Sequence, residues 1–175
     1  MSFYMMDYKS IVEEYIVLEN PTGQLDDRGY YASWFQFLDK ELIEIKISEE
    51  GGIEYPDLII QEDVPLISEK MKQLFDIAGV RYVFYKPVDI VDDYEMKKTR
   101  YYLAVPSRID CLDYDKSIYD NECEFAETIL IDEKKVGDAH IFKLRGLGNS
   151  EIIVTEKLFK ILDREELEGV YFKQL

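Results

Sequence analysis

Short segments of alternating or continuous apolar residues follow one another along the chain and predict a structure built mainly of strands. Strands are predicted at residues 15–18, 34–38, 43–47, 58–60, 80–85, 101–105, 128–131, 140–144, 152–154 and 169–172. Glycine, proline and asparagine residues between these segments favour changes of chain direction. Two polar, Asp/Tyr-rich stretches at residues 89–99 and 107–124 lack a clear period and are predicted to be exposed loops.

Two segments show the apolar spacing of amphipathic helices instead. The first follows Ser68 as N-cap, and its apolar positions are Met71, Leu74, Phe75 and Ala78. The second follows Thr155 as N-cap, and its apolar positions are Leu158, Phe159, Ile161 and Leu162. Glu69 and Glu156 lie in the first turns, where a carboxylate complements the positive end of the helix dipole.

The two helices belong to an internal repeat of strand, capped helix and strand. Leu66-Ile67-Ser68-Glu69-Lys70-Met71 matches Ile153-Val154-Thr155-Glu156-Lys157-Leu158, 87 positions later, and Val83-Phe84-Tyr85 matches Val170-Tyr171-Phe172 at the same offset. Each helix is expected to cover a sheet formed by its flanking strands. The sequence leaves open whether the two copies share one sheet.

The predicted fold class is therefore α+β, with a mainly antiparallel sheet and two short capped helices. A chain of 175 residues is long enough for one buried core, so a single domain over residues 1–175 is expected. Within it, residues 1–56 form a strand-rich N-terminal part, and residues 57–175 carry the repeat.

The chain is strongly acidic, with a net charge of −16, and also rich in aromatic residues, at 14%. The aromatic content argues against disorder. The charge disfavours binding to nucleic acid or to an anionic membrane and favours a basic protein partner. An alternative is that the acidity serves solubility alone, and composition does not separate the two.

No export or membrane segment is visible, and the two cysteines, Cys111 and Cys123, suggest no disulfide framework. Residues 1–7 lack the basic start and apolar run of a signal peptide, and no stretch reaches the length of a membrane span. A soluble protein of the reducing cytoplasm is expected.

No pattern indicates catalytic residues, a cofactor or a metal site, so the chain is predicted not to be an enzyme. The glycines of residues 146–149 favour a hairpin turn over a nucleotide loop, because the third glycine and a following helix are missing. His140 is interpreted as a structural histidine, and Cys111 as a small buried residue. The carboxylates of Asp110, Asp113 and Asp115 favour a solvated turn over a calcium loop.

Protein binding is the function that this composition suits best, because tyrosine combines a large rigid contact area with a polar group. The strand tyrosines are interpreted as packing residues. The predicted partner-binding residues lie in the two polar stretches: Asp92, Asp93, Tyr94, Asp113, Tyr114 and Tyr119.

Short motifs in the last two thirds of the chain point to a known family. They are Pro56-Asp57-Leu58, Leu66-Ile67-Ser68-Glu69-Lys70, Tyr85-Lys86-Pro87-Val88, Tyr101-Tyr102-Leu103-Ala104-Val105, Asp110-Cys111-Leu112-Asp113, Lys116-Ser117, Ile141-Phe142-Lys143-Leu144, Ile153-Val154-Thr155-Glu156-Lys157 and Leu167-Glu168-Gly169-Val170-Tyr171-Phe172. With these motifs, residues 57–175 resemble the immunity proteins of bacterial polymorphic toxin systems, a family once described only as a domain of unknown function.

The resemblance implies a non-catalytic protein that binds a cognate toxin and blocks it, and it supplies no catalytic residues. The acidic charge favours a basic toxin, for example a nuclease, as the partner. Two alternatives stay open at this point. One is an acidic adaptor or assembly module without a toxin partner, and the other is a small enzyme of unrecognised type.

Overall fold

The structure, a computed structural model, describes residues 2–9, 13–21, 23, 43–119, 126–145 and 151–175. The strands are β1 (Phe3–Tyr8), β2 (Ile43–Lys46), β3 (Leu58–Gln61), β4 (Val64–Ser68), β5 (Val83–Asp92), β6 (Lys97–Pro106), β7 (Arg108–Ile109), β8 (Ile118–Tyr119), β9 (Ala126–Thr128), β10 (Ile141–Leu144), β11 (Ile152–Thr155) and β12 (Val170–Gln174). The helices are α1 (Glu69–Ile77), α2 (Glu133–Val136) and α3 (Glu156–Leu162). The predicted α+β class is confirmed.

Ten of these strands form two five-stranded sheets. The central sheet has the order β2-β5-β6-β4-β3, and the terminal sheet has the order β12-β1-β11-β10-β7. Both sheets are antiparallel except where β2 joins β5 and β7 joins β10. Strands β8 and β9 pair separately.

The internal repeat is confirmed, and its two copies lie in separate sheets. The first copy is β4-α1-β5 and the second is β11-α3-β12, with helices that begin at Glu69 and Glu156 and strands that follow from Val83 and Val170. In each copy an antiparallel strand lies between the two strands of the repeat. That strand is β6 in the central sheet and β1 in the terminal sheet, so the start of the chain completes the second copy.

The main core lies between the two sheets, and both repeat helices contribute to it. The fully buried helix residues are Met71 and Phe75 from α1 and Leu158 and Leu162 from α3. Strand residues of both sheets pack around them: Met6, Leu58, Ile67, Ala104, Ile141, Ile152 and Val154. Burial of this apolar surface from both copies holds the two sheets together.

The outer face of the central sheet is covered by residues 13–19, which we call the strap. Ile16 and Leu18 are buried against that face. The backbone of Leu18 exchanges two hydrogen bonds with the side-chain amide of Gln61, at 2.9 and 2.7 Å, and the Glu19 N–H donates to the Lys46 carbonyl at 2.9 Å. The strap therefore connects the two edge strands of the central sheet, β3 and β2. The strand predicted at residues 15–18 is not formed as a regular strand, because these residues make only isolated β-bridges.

The outer face of the terminal sheet packs against the segments around Cys111 and α2. The residues buried there are Phe3, Cys111, Leu112, Ile129, Val136, Ala139, Phe142, Leu144 and Ile153. Helix α2 was not predicted, and its C-terminal turn ends at Gly137, which has a positive φ of 65°. Burial raises the pKa of the Cys111 thiol to about 11, so the thiol stays protonated at neutral pH, which agrees with the predicted small buried residue.

The predicted loop at residues 89–99 is wrong, because most of it belongs to a long hairpin of β5 and β6. In this part of β5, buried apolar residues such as Ile90 alternate with charged residues that pair across the hairpin, as where Arg100 Nε donates to Asp89 Oδ1 at 2.5 Å. Strand β1 was also missed. The strand predicted at residues 34–38 and the turn predicted at residues 146–149 lie outside the described residues.

A buried carboxylate links the two copies of the repeat. Asp57 Oδ1 accepts a hydrogen bond of 2.5 Å from the Ser68 hydroxyl, which itself caps α1 by accepting from the Met71 N–H at 3.1 Å. Asp57 Oδ2 accepts from the Glu168 N–H at 3.0 Å, and the Asp57 N–H donates to the Glu168 carbonyl at 2.8 Å. Asp57 thus joins the start of the first helix to the loop that follows the second.

Within the described residues, every helix falls short of the length and apolar character that crossing a membrane requires.

Candidate functional site

The β5–β6 hairpin ends in a turn that presents two of the predicted partner-binding residues, Asp93 and Tyr94, at the surface. The third, Asp92, is buried and organises the turn. Its Oδ1 accepts hydrogen bonds from the N–H groups of Tyr94 at 2.9 Å and Glu95 at 3.0 Å. An aspartate that accepts from the residues after it in this way stabilises a tight turn. Asp92 therefore holds Asp93 and Tyr94 in place.

The hairpin turn packs against the loop that follows β2. Lys46 Nζ lies 2.7 Å from Asp93 Oδ2, and the Tyr94 hydroxyl donates to the Glu49 carboxylate. These two contacts raise the pKa of Lys46 and of Tyr94, so Lys46 stays charged and Tyr94 stays neutral at physiological pH. Tyr55, further along the loop, places its ring 4.1 Å from Lys97 Nζ.

Between the hairpin turn and this loop lies a surface pocket of about 420 Å³, which we call the acidic pocket. It is lined by Glu19, Lys46, Ile47, Ser48, Glu49, Glu50, Asp93 and Tyr94. Four carboxylates and one ammonium group face this pocket, so its field attracts cationic groups such as lysine and arginine side chains.

The other three predicted partner-binding residues lie beyond the opposite end of β6. Lys116 Nζ donates to Asp113 Oδ2 at 2.8 Å, and this hydrogen bond lowers the pKa of the Asp113 carboxyl. The Tyr114 hydroxyl, on a side chain that is 48% exposed, donates to Asp110 Oδ1 at 3.1 Å. Tyr119 is the last residue of β8, and its side chain lies outside the described part of the structure.

The six predicted residues thus form two groups that the structure does not bring together. The ten residues of β6 separate the hairpin turn from the start of the chain segment that carries the second group, a span of about 30 Å at 3.3 Å per residue. An interface of standard size covers roughly 800 Å² on each partner. A circular patch of that area has a radius of about 16 Å, so an interface that includes both groups has to be larger than the standard size.

Two exposed residues on the loop and the turn that line the acidic pocket were not predicted. Ile53 and Met96 are among the most exposed large apolar side chains of the described residues. The sequence feature that could have identified them is an isolated apolar residue in a polar or glycine-rich stretch. Ile53 follows Gly51-Gly52, and Met96 lies between Glu95 and Lys97. That signal is weak because single exposed apolar residues are common.

A second surface pocket, of about 370 Å³, lies at His140 in the second copy of the repeat and is lined by His140, Thr155, Glu156, Lys157 and Lys160. His140 occupies the place of Asp57 in the first copy. Its carbonyl accepts from the Thr155 N–H at 3.0 Å, as the Asp57 carbonyl accepts from Ser68 at 2.8 Å. Lys157 Nζ lies 3.0 Å from His140 Nε2, an arrangement that suits a neutral imidazole accepting from the ammonium group.

We expect the pKa of His140 to lie below its ordinary value of 6.5, because burial and then the charge of Lys157 disfavour the imidazolium. Since the folded pKa is lower than the unfolded one, this contribution to stability is complete above about pH 6.5 and declines as the pH falls below it. His140 is the only histidine, so its ring proton resonances give the titration directly by NMR.

Lys157→Gln is expected to raise the midpoint pH of the His140 titration, because it removes a nearby positive charge. The midpoint should still lie below 6.5, because burial is the larger cause of the lowered pKa. Lys160→Gln serves as the control, since Lys160 pairs with Glu156 at 2.6 Å. A midpoint at or above 6.5 in the unmodified protein would contradict the described environment of His140.

The sequence model described as Immunity protein family (Imm11) matches residues 18–175, which extends the region of resemblance well before residue 57. No curated protein matches the chain.

Proposed function

The chain belongs to the Imm11 immunity protein family, and on this premise we propose that it binds a cognate bacterial toxin and neutralises it without catalysing a reaction. Neutralisation by binding needs only a surface that covers the functional region of the toxin. The protein would act in the cytoplasm of the cell that makes the toxin or of its kin.

The acidic pocket at the hairpin turn is the observation that carries the proposal. Its carboxylates are placed on a turn held by Asp92, on a loop joined to that turn by two side-chain contacts and, in the case of Glu19, on the strap. Such a preorganised acidic surface suits a basic toxin, for example a nuclease, whose cationic residues bind nucleic-acid phosphate. The net charge of −16 adds long-range attraction and raises the association rate.

Within this proposal the six predicted residues have different roles. Asp93 and Tyr94 contact the toxin directly, and Asp92 acts through the turn that it holds. The second group, Asp113, Tyr114 and Tyr119, forms an outlying contact.

Co-expression with the product of the gene immediately upstream tests the proposal. We expect the unmodified chain to restore growth and to co-purify with that protein, because an immunity protein must bind its toxin where it is made. Asp93→Lys reverses a charge that borders the acidic pocket and is expected to weaken the complex by about 10- to 100-fold. Asp113→Lys is the matched charge reversal in the outlying group and is expected to have a smaller effect.

Failure of the unmodified chain to restore growth or to form a complex would favour the acidic adaptor over the immunity protein. An acidic upstream product, or a complex whose affinity does not respond to salt, would contradict the role of charge. Circular dichroism of both variants checks that the substitutions leave the fold intact.

A further inference from the structure

Large apolar side chains on the hairpin turn and on the loop after β2, the two segments that line most of the acidic pocket, are exposed to solvent. Met96 is 92% exposed, Ile53 is 84% exposed and Tyr94 is 70% exposed. Because these side chains are hardly buried, they contribute little hydrophobic stabilisation to the free protein. Several large exposed apolar side chains on adjoining loops, bordered by charged residues, are typical of an interaction surface. We call the residues Ile53, Tyr94 and Met96, with the carboxylates of Glu49 and Asp93, the tip surface.

The two loops that form the tip surface are joined to each other. Tyr94 on the hairpin turn donates to Glu49 on the loop after β2, and Asp93 accepts from Lys46 at 2.7 Å. The Tyr55 hydroxyl on the same loop lies 3.4 Å from Asp92 Oδ2. These contacts fix the relative position of the loops before any partner binds.

The backbone on both sides of Ile53 is held by the strap. The Gly52 N–H donates to the Tyr15 carbonyl at 2.8 Å, and the Glu54 N–H donates to the Glu14 carbonyl at 2.9 Å. A Cβ at Gly52 would lie 2.3 Å from the Glu14 carbonyl group, so glycine permits this close approach. A partner that contacts Ile53 therefore meets a backbone that is already ordered, which lowers the entropic cost of binding.

The backbone at Met96 is strained. Its φ of 47° lies in the left-handed region, where glycine is favoured and a long side chain is uncommon. Glycine would form this turn at lower conformational cost, and the exposed Met96 side chain brings no compensating burial in the free protein. The flexible, polarisable thioether side chain is suited to contact with a partner surface.

We infer that the tip surface docks the toxin, and that the toxin meets it with an apolar patch bordered by lysine or arginine side chains. The inference rests on the proposed function and specifies where the toxin binds and what chemistry it presents. Apolar residues at the centre and charged residues at the border are the usual arrangement of a protein interface. A second copy of this chain fits poorly, because each copy carries a charge of −16 and presents the same carboxylates.

Three variants test the inference in titration calorimetry with the purified product of the upstream gene. Met96→Gly and Ile53→Asp are each expected to raise the Kd by about tenfold or more, because each removes an apolar contact. Met96→Gly should leave the midpoint of thermal unfolding unchanged or raise it, because it relieves the positive φ. Ile77→Asp is the matched control: Ile77 is 77% exposed, but it lies at the end of α1, near the start of β5 and away from the hairpin turn.

The outcomes separate the inference from the proposed function. A complex that forms with the unmodified chain, and keeps its Kd in Met96→Gly and Ile53→Asp, overturns the inference and leaves the proposed function standing. An equal loss of affinity in Ile77→Asp also overturns it, because the effect would then be one of added charge. Failure of the unmodified chain to form any complex overturns both. The inference is supported if Met96→Gly and Ile53→Asp weaken the complex, Ile77→Asp does not, and the Kd of the unmodified chain rises with salt concentration.

Discussion

Phe75→Ala is expected to lower the free energy of unfolding by about 3–5 kcal/mol, the range for truncating a buried phenylalanine. Phe75 is 1% exposed and lies between the two sheets, in the cluster that also contains Leu158 and Leu162 of the other repeat helix. The cavity would therefore open where the two copies of the repeat meet, so neither sheet alone can collapse to fill it. Urea denaturation followed by circular dichroism measures the change.

Ile77→Ala provides the control on the same helix, because Ile77 is 77% exposed. Its substitution should change the free energy of unfolding by less than about 0.5 kcal/mol. If the free energy of unfolding depends on urea concentration with the same slope in both variants and in the unmodified chain, a shift of the midpoint reports a change in stability. A loss below about 1 kcal/mol for Phe75→Ala would be incompatible with a core shared by both helices.

Asp57→Ala is expected to lower the free energy of unfolding by about 2–4 kcal/mol, because hydrogen bonds to charged groups contribute more than neutral ones. The substitution leaves the Ser68 hydroxyl and the Glu168 N–H without their acceptor. It also removes the carboxylate 3.9 Å from Lys70 Nζ. Both the start of α1 and the loop before β12 would loosen, and hydrogen exchange should detect faster exchange at the Met71 and Glu168 amides.

Asp57→Asn keeps the shape of the side chain and one acceptor oxygen. We expect Asp57→Asn to lower the free energy of unfolding by roughly half as much as Asp57→Ala, since only one of the two donors loses its acceptor. His140→Ala, at the equivalent place in the second copy, should cost less than Asp57→Ala, because the Thr155 side chain makes no capping hydrogen bond to α3. Equal costs at Asp57 and His140 would contradict the linking role of the carboxylate.

The repeat shows how much local sequence can predict. Ser68 and Thr155 begin their helices as predicted, because N-cap preference and helical apolar spacing depend on residues only a few positions apart. Leu74 and Ile161, also assigned to the apolar faces, are only half-buried, since a neighbouring sheet covers each helix incompletely. Burial of a particular position depends on which element packs over it.

The two largest errors concern strands whose environment lies far along the chain. Strand β1 pairs with β11 and β12, and both of its faces are covered, so its buried positions do not alternate. In the outer half of the β5–β6 hairpin, the buried core residues Val88 and Ile90 alternate with polar residues, and cross-strand charge pairs such as Asp89 with Arg100 stabilise the strand pairing. The charged residues between and after these apolar positions resemble a loop in composition, so the short alternation of Val88 and Ile90 was not recognised as part of a strand.

The sequence by itself determined the α+β class, the starts of the two repeat helices, the repeat and the family, because N-cap preference, apolar spacing and motifs are local properties of the chain. Only the tertiary structure decided that the two copies lie in separate sheets and that residues 13–19 join the edges of one of them. It also decided that Asp92 is buried while Asp93 borders a pocket, and that Ile53 and Met96, on the loop and the turn that line this pocket, are exposed. Pairing between distant strands places these side chains, and a pattern read over a few residues carries no information on such pairing.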